Sequence, residues 1–167
     1  MKDKSNGVLD RLEFDGWGMR ARGRVAWRTL LVEDNLVNQI VAQALLEDLG
    51  YVVTLAGNGA EAVDRWNCQP FDVIFIDCQM PVMDGFAATR AIRAAEQRHG
   101  APRIPIVAMT ASAMDNDRRR CLESGMDAVL CKPFAADEFV AVMRRWLPDS
   151  TADAGRYPER DAPRLAA

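Results

Sequence analysis

Val73-Ile74-Phe75-Ile76-Asp77 is an unbroken apolar run that ends on a single carboxylate, and the chain continues as Cys78-Gln79-Met80-Pro81-Val82-Met83-Asp84-Gly85. Four consecutive apolar residues before an acid indicate a strand that is covered on both faces, as in the middle of a parallel sheet. Asp77 is then placed at the carboxyl edge of that strand, where ligands bind in open α/β sheets. An acid in this position can also be only a turn former or a helix cap, so its neighbours in space must decide its role.

On both sides of this run, short apolar stretches alternate with helical patterns. Strands are predicted at residues 30–32, 51–56, 73–77, 104–109 and 128–131, and helices at about 36–49, 60–67, 86–98, 112–124 and 135–147. Right-handed crossovers between parallel strands place helices on both faces of a sheet. The chain is therefore predicted to form a doubly wound α/β domain with a five-stranded parallel sheet and five helices.

The domain is expected to occupy residues 28–147 of the 167-residue chain. Residues 1–27 show no sustained period and are predicted to be a flexible leader or linker, and residues 148–167 a disordered tail. In the first helix, asparagine 35 is the predicted cap. The apolar residues that recur there at helical spacing, and so are predicted to face the core, are Val37, Ile40, Val41, Ala44, Leu45 and Leu49.

Composition and charge exclude several classes of protein. The chain is 49% hydrophobic and 27% charged, which is usual for a soluble globular protein, and no apolar run approaches the ~20 residues needed to cross a bilayer. We therefore expect a cytoplasmic protein without membrane contact by this segment. Its net charge of -3 offers no electrostatic reason to expect direct nucleic-acid binding. Its four cysteines show no C-x-x-C pair and are expected to be reduced.

Polar residues follow four of the five predicted strands and therefore meet at one edge of the sheet. They are Glu33, Asp34, Asp77, Thr110 and Lys132. Two carboxylates ~5 Å apart repel by roughly 3 kcal/mol at an effective dielectric constant near 20, so three acids in one crevice need a counter-charge. A single ammonium leaves the crevice acidic, and an all-oxygen site with few protein ligands suits Mg²⁺. The sequence therefore predicts a magnesium site.

A magnesium site beside an ammonium is suited to a transferring phosphoryl group, whose negative charge is spread over three oxygens. Asp77 is the predicted nucleophile, because carboxylates form acyl phosphates and the other two acids are assigned to the metal. Thr110 and Lys132 are predicted to hydrogen-bond phosphoryl oxygens.

Four motifs, in this order and spacing, resemble the receiver domain of two-component response regulators over about residues 28–147. They are Leu31-Val32-Glu33-Asp34-Asn35, Asp77-x-x-Met80-Pro81-x-Met83-Asp84-Gly85, Thr110-Ala111 and Lys132-Pro133-Phe134. Further details are most similar to the receivers of hybrid sensor histidine kinases. These are Asn38-Gln39, Asn58-Gly59-Ala60-Glu61-Ala62 and Gly125-Met126-Asp127.

The resemblance implies a flavodoxin-like receiver fold in a two-component phosphorelay. It implies that Asp77 accepts a phosphoryl group from a phosphohistidine of a histidine kinase or histidine phosphotransfer domain, and later hydrolyses it. It implies that Glu33, Asp34, Asp77 and the backbone carbonyl of Gln79 bind Mg²⁺, and that Lys132 contacts the phosphate. It further implies a cis peptide before proline 133, and a downstream partner at the face formed by the fourth helix, fifth strand and fifth helix.

One position departs from the family pattern. Val129 stands on the fifth strand where receivers carry an aromatic switch residue, and a β-branched aliphatic side chain has neither the ring nor the reach for that role. We therefore expect a weaker or differently routed conformational response. Cys78 and Cys131 flank the predicted nucleophile and Lys132, so thiol-based control is a further, less favoured hypothesis.

Two other functions stay open from the residues alone. An aspartate-nucleophile phosphatase gathers similar groups, but Gln79 stands where that class has a second acid. A receiver-fold protein-interaction module without phosphorylation is the other alternative. The chain can be a stand-alone relay protein or the receiver portion of a hybrid kinase.

Overall fold

The computed structural model describes residues 13–15, 18–20, 27–112 and 114–146. Its strands are β1 (Glu13–Asp15), β2 (Gly18–Arg20), β3 (Arg28–Val32), β4 (Val52–Ala56), β5 (Val73–Asp77), β6 (Ile106–Thr110) and β7 (Ala128–Cys131). Its helices are α1 (Leu36–Asp48), α2 (Gly59–Cys68), α3 (Gly85–His99), α4 (Asp115–Glu123) and α5 (Ala136–Trp146). Short β1 and β2 pair in antiparallel fashion, in a segment where no element was predicted. Apart from Trp27, the rest of the predicted leader lies outside the described residues, as does the predicted tail at 148–167.

The main sheet has the order β4-β3-β5-β6-β7, with every neighbouring pair parallel. The central strand is β5, and all five of its residues are buried, as its apolar run predicts. The predicted doubly wound α/β fold is thus confirmed. From β3 the chain adds β4 on one side of the sheet, and from β5 it adds β6 and β7 on the other side. A crevice therefore opens between the carboxyl ends of β3 and β5.

Alternating side chains of the strands build two cores, one on each face of the sheet. From β5, Ile74 and Ile76 enter one core together with residues of α2, α3 and α4. Val73 and Phe75 enter the other core with residues of α1 and α5, where the rings of Phe75 and Phe139 lie 5.2 Å apart. Each face of the sheet is therefore covered, which explains the lack of polar alternation in β5.

Side-chain caps begin the first three helices of the domain. Asn35 accepts hydrogen bonds from two backbone N–H groups of α1, and Asn58 and Asp84 each accept one in α2 and α3. Helix α4 begins after Met114 without a side-chain cap, three residues later than predicted. Among the residues of α4, only Cys121 is buried. This helix therefore buries fewer side chains than any of the other four.

The predicted core face of α1 was wrong at five of its six residues, and Leu45 is the one that packs against a core. Val37, Ile40 and Val41 are at least half exposed, and the buried residues are Ala42 and Leu46. Apolar residues occur around most of this helix, so their spacing does not select one face. The structure selects the face that carries two amides of the first turn, which hydrogen-bond the end of β3 and are described below.

Candidate functional site

Three carboxylates meet at the carboxyl edge of the sheet, as predicted. Glu33 and Asp34 directly follow β3, and Asp77 is the last residue of the neighbouring strand β5. One carboxylate oxygen from each residue lies within 4.8 Å of the other two. Glu33 and Asp77 are buried, whereas Asp34 is exposed, so the cluster is open to solvent on one side.

Lys132, which follows β7, reaches across the edge to this cluster. Its Nζ donates hydrogen bonds to Glu33 Oε2 and to Asp77 Oδ2. Burial lowers the pKa of the Lys132 ammonium, but the two hydrogen bonds and the two negative charges raise it more, so its pKa lies above the usual range. Lys132 is therefore a permanent cation at neutral pH. The peptide bond between Lys132 and Pro133 is cis, as the resemblance implied.

The residues at this edge fit a hard divalent cation. Three carboxylates opposite one ammonium leave a net negative charge in a partly buried crevice, and all the donor atoms of the cluster are oxygens. Mg²⁺ prefers such ligands and retains several of its own waters, which the exposed side at Asp34 can accommodate. The donor set and its charge thus fit the predicted magnesium ion.

Glu33 is oriented by groups from α1 and its cap residue that were not predicted as site residues. The backbone N–H of Asn35 and the Nδ2 of Asn38 donate to Glu33 Oε1 at 3.2 and 3.3 Å, and the Nε2 of Gln39 donates to the Glu33 carbonyl oxygen. These hydrogen bonds hold the buried Glu33 carboxylate in one orientation. Two consecutive amides in the first turn of a helix that follows an acidic pair were the available sequence signal.

Thr110 and Gln79 also lie at this edge. The hydroxyl oxygen of Thr110 accepts the N–H of Ser112 at 3.2 Å, and its carbonyl accepts the N–H of Lys132 at 2.7 Å. The N–H of Gln79 donates to Asp77 Oδ1 at 3.0 Å. Every predicted site residue is therefore brought to the same edge, although the roles of Thr110 and of the Gln79 carbonyl stay predictions.

The loop after Asp77 is held closely against the strand end. The N–H of Gly85 donates to the Cys78 carbonyl, and a Cβ added at Gly85 would lie 2.2 Å from the Asp77 carbonyl oxygen. Only glycine fits there. In the same loop, Val82 is exposed and has a φ of 70°, a left-handed conformation that costs a β-branched residue free energy.

Val129 and Cys78 lie on the α2–α3–α4 face of the sheet. Val129 is partly buried and packs against that core. Burial raises the pKa of the Cys78 thiol. The sulfur neighbour of Cys78 is Cys121 rather than Cys131, whose Sγ donates instead to the Lys132 carbonyl oxygen. The two thiols that flank the predicted nucleophile and Lys132 therefore have different neighbours, and thiol-based control stays a prediction.

No helix within the described ranges combines the length and the apolar character required for a transmembrane span.

Comparisons with known proteins agree with this geometry. Residues 29–144 match the family model described as the response regulator receiver domain. Sensor histidine kinase GacS from Pseudomonas protegens is 44% identical over 138 residues, which cover 82% of this chain but 15% of GacS. The chain thus spans a small part of that relative.

Two solved structures show the same fold. The receiver domain of sensor histidine kinase PA1611 from Pseudomonas aeruginosa, with a magnesium ion in its active-site cleft, is 47% identical with a TM-score of 0.66, covering 73% of this chain and 98% of that one. The co-crystal structure of the Saccharomyces cerevisiae phosphotransfer protein Ypd1 with the receiver domain of Ssk1 gives 35% identity and a TM-score of 0.69, covering 72% and 88%. On the sequence match, the shared sheet and the acidic edge, this chain belongs to the response regulator receiver domain family.

Proposed function

We propose that this receiver domain accepts a phosphoryl group on Asp77 from a partner phosphohistidine in a two-component phosphorelay. One observation carries the proposal. A buried carboxylate at the end of the central strand is surrounded by two more carboxylates within 4.8 Å and by the Lys132 ammonium. This set of charges is unfavourable in itself and becomes favourable when a divalent cation and an anionic group enter together.

The cation is Mg²⁺, and its proposed ligands are Glu33, Asp34, Asp77 and the backbone carbonyl of Gln79. When bound, the ion neutralises charge on the phosphoryl oxygens. The amides of α1 hold Glu33 in place for this role, and the exposed position of Asp34 leaves room for water. The magnesium seen in the PA1611 receiver structure supports the same assignment here.

In the transfer step, a carboxylate oxygen of Asp77 attacks the phosphorus of the phosphohistidine. A P–O bond forms, the P–N bond breaks, and the leaving imidazole takes up a proton from solvent or its own protein. The Lys132 ammonium, which now contacts Asp77, donates instead to a phosphoryl oxygen, and the Thr110 hydroxyl donates to another. Hydrolysis of the acyl phosphate by water later returns Asp77 to its free form.

The phosphodonor is proposed to be a histidine kinase or a histidine phosphotransfer domain, and an exposed surface beside the site supports a protein partner. This α1 apolar patch consists of Leu36, Val37, Ile40 and Val41, each at least half exposed. It begins two residues after Asp34, one of the three clustered carboxylates, and we propose that a protein that places a histidine over Asp77 also covers the patch. The Ypd1–Ssk1 structure shows that a receiver can assemble with a phosphotransfer protein.

A downstream protein is proposed to use the face formed by α4, β7 and α5, where Leu122 is half exposed. Because the chain spans 15% of GacS, we further propose that it acts in the cytoplasm as the receiver portion of a hybrid histidine kinase.

Intact-mass analysis with acetyl phosphate and Mg²⁺ tests the phosphoacceptor. We expect the wild type to gain one phosphoryl group, Asp77→Asn to gain none, and the wild type to gain none when a chelator removes Mg²⁺. Asp64→Asn, on the exposed side of α2, is the matched control and should behave as the wild type. Absence of any mass gain would contradict the proposal and favour a protein-interaction module.

The α1 apolar patch is tested by transfer from a phosphorylated histidine phosphotransfer protein of the same organism. We expect Ile40→Glu to slow this transfer at least about tenfold, because it places a charge in a desolvated contact, and to leave uptake from acetyl phosphate unchanged. Leu122→Glu on α4 is the control, with a similar exposure and an unchanged rate. Equal rates for all three proteins would refute the assignment of this surface.

A further inference from the structure

Two buried thiols that are distant in sequence are in contact. Cys78 and Cys121 are 4% and 1% exposed, and their sulfur atoms lie 3.6 Å apart. The remaining cysteines of the chain, Cys68 and Cys131, are exposed and partly exposed, respectively. The Cys78–Cys121 contact plays no part in the chemistry proposed above, and both side chains lie in the α2–α3–α4 core.

One thiol lies beside the phosphoacceptor and the other lies on α4. Cys78 directly follows the phosphoacceptor, and its N–H and carbonyl join it to Met109 and Gly85. Cys121 is the single buried side chain of α4. The contact between the two sulfurs therefore joins the end of β5 to α4, the helix that buries the fewest side chains. A second contact nearby places the Arg120 guanidinium 4.9 Å from the centre of the Phe86 ring.

We propose that Cys78 and Cys121 form a redox-sensitive dithiol that a hydroperoxide oxidises to a disulfide, fastening α4 to the phosphoacceptor strand. One thiol attacks the peroxide oxygen and becomes a sulfenic acid, releasing the alcohol or water. The second thiol then attacks this sulfur, the S–S bond forms, and the hydroxyl group of the sulfenic acid leaves as water. Overall, two thiols and one hydroperoxide give one disulfide, one alcohol and one water, and a reducing dithiol reverses the change.

The geometry permits the second step. A disulfide has sulfur atoms about 2.05 Å apart, so the two sulfurs must approach by roughly 1.5 Å, which side-chain rotation and a small shift of a helix supply. They already face one another across the core, 43 residues apart in the chain. When α4 packs back against the sheet, a sulfenic acid on either residue therefore meets the other thiol.

Oxidation requires that α4 first moves away from the sheet, because both thiols are closed off in the folded state. Burial also raises the pKa of the Cys121 thiol, which keeps it protonated and unreactive there. Helix α4 lacks a side-chain cap and buries one side chain, so it is the helix of this domain that opens most easily. The dithiol thus responds to oxidant only while α4 is mobile.

The effect on signalling rests on the proposed phosphoacceptor function. Helix α4 begins five residues after Thr110, so a shift of Thr110 toward a phosphoryl group pulls the segment that leads into the helix. A bond from Cys121 to the residue next to Asp77 restrains that movement. With Val129 in place of an aromatic switch, the sulfur contact is also a direct packing route from the phosphoacceptor strand to α4.

The test uses the full chain with Cys68→Ser and Cys131→Ser, which leaves Cys78 and Cys121 as its remaining cysteines. After treatment with hydrogen peroxide, we expect a monomer that has lost two hydrogen atoms, with a peptide containing both residues that separates on reduction. Amide hydrogen exchange in α4 should slow at least about tenfold in the oxidised form and recover on reduction. In wild-type protein the same linked peptide should form.

Three results would overturn the proposal. The first is persistence of both thiols at a peroxide concentration that oxidises the exposed Cys68 of the wild type. The second is a disulfide between two chains instead of within one. The third is an internal disulfide with unchanged exchange in α4. Phosphoryl uptake from acetyl phosphate, followed as a separate mass gain, shows independently whether the phosphoacceptor function fails.

Discussion

Replacing Lys132 with methionine tests the charge balance on which the site depends. Methionine retains most of the aliphatic length of lysine but removes the ammonium that contacts Glu33 and Asp77. The side chains of Lys132, Glu33 and Asp77 are 15%, 1% and 12% exposed, so water screens their charges little. Without the ammonium, the carboxylates repel one another in the metal-free protein.

The size of the effect follows from the separation of the charges. At 4.8 Å, the outer limit for the cluster, and an effective dielectric constant of about 20, two carboxylates repel by about 3.5 kcal/mol. We therefore expect Lys132→Met to lower the free energy of unfolding by about 3 kcal/mol without metal, which corresponds to a Tm about 10 °C lower.

Millimolar Mg²⁺ should reverse much of this loss, because the cation supplies the missing positive charge. Thermal unfolding followed by circular dichroism, with Mg²⁺ or with a chelator, measures both effects. The double variant Lys132→Met/Asp77→Asn removes one of the repelling charges and should be more stable than Lys132→Met alone. Arg119→Met is the control, because its ion pair with Glu123 on α4 is exposed and contributes below about 0.5 kcal/mol.

Two outcomes would refute this reasoning. One is a metal-free Lys132→Met protein that is as stable as the wild type. The other is a Tm that Mg²⁺ raises by the same amount in both proteins. Either result would mean that the ammonium and the cation do not compensate the same carboxylates.

Three further substitutions test other parts of the structure. Gly85→Ala places a methyl group 2.2 Å from the Asp77 carbonyl oxygen, so we expect a loss of more than about 2 kcal/mol in urea unfolding and slower phosphoryl uptake, whereas an unchanged protein would show that this loop is loose. Arg93→Met leaves the buried Glu96 without its ion-pair partner, although the N–H of Ile104 still donates to it, and should cost about 3 kcal/mol in the same assay, with a cost below about 1 kcal/mol counting against the ion pair. Val82→Asn should stabilise the chain by about 1 kcal/mol, because asparagine tolerates the φ of 70°, and a lower Tm would contradict this.

Much of the fold follows from short-range pattern. The β5 run is apolar because both faces of the central strand are covered, and that pattern alone indicated a parallel sheet. The polar residues after successive strands then had to meet at one edge, since parallel strands end on the same side. The cap Asn35 was similarly readable, because capping depends on a few consecutive residues.

Other features could not be read from pattern. Apolar residues surround most of α1, and its buried face became clear only from the hydrogen bonds of Asn38 and Gln39 to the end of β3. The exposed patch on α1 is the consequence. The hairpin of β1 and β2 was likewise not predicted, because strands of three residues are too short to show a periodic pattern.

The sequence by itself determined the sheet, the order of its strands' connections and the identity of the residues at its acidic edge, because each depends on local periodicity and on the direction of parallel strands. Tertiary structure alone decided that Lys132 bridges Glu33 and Asp77, and that Cys78 meets Cys121. These contacts join residues 43 to 99 positions apart. Their geometry depends on how helices and strands pack across a core, which no short stretch of sequence encodes.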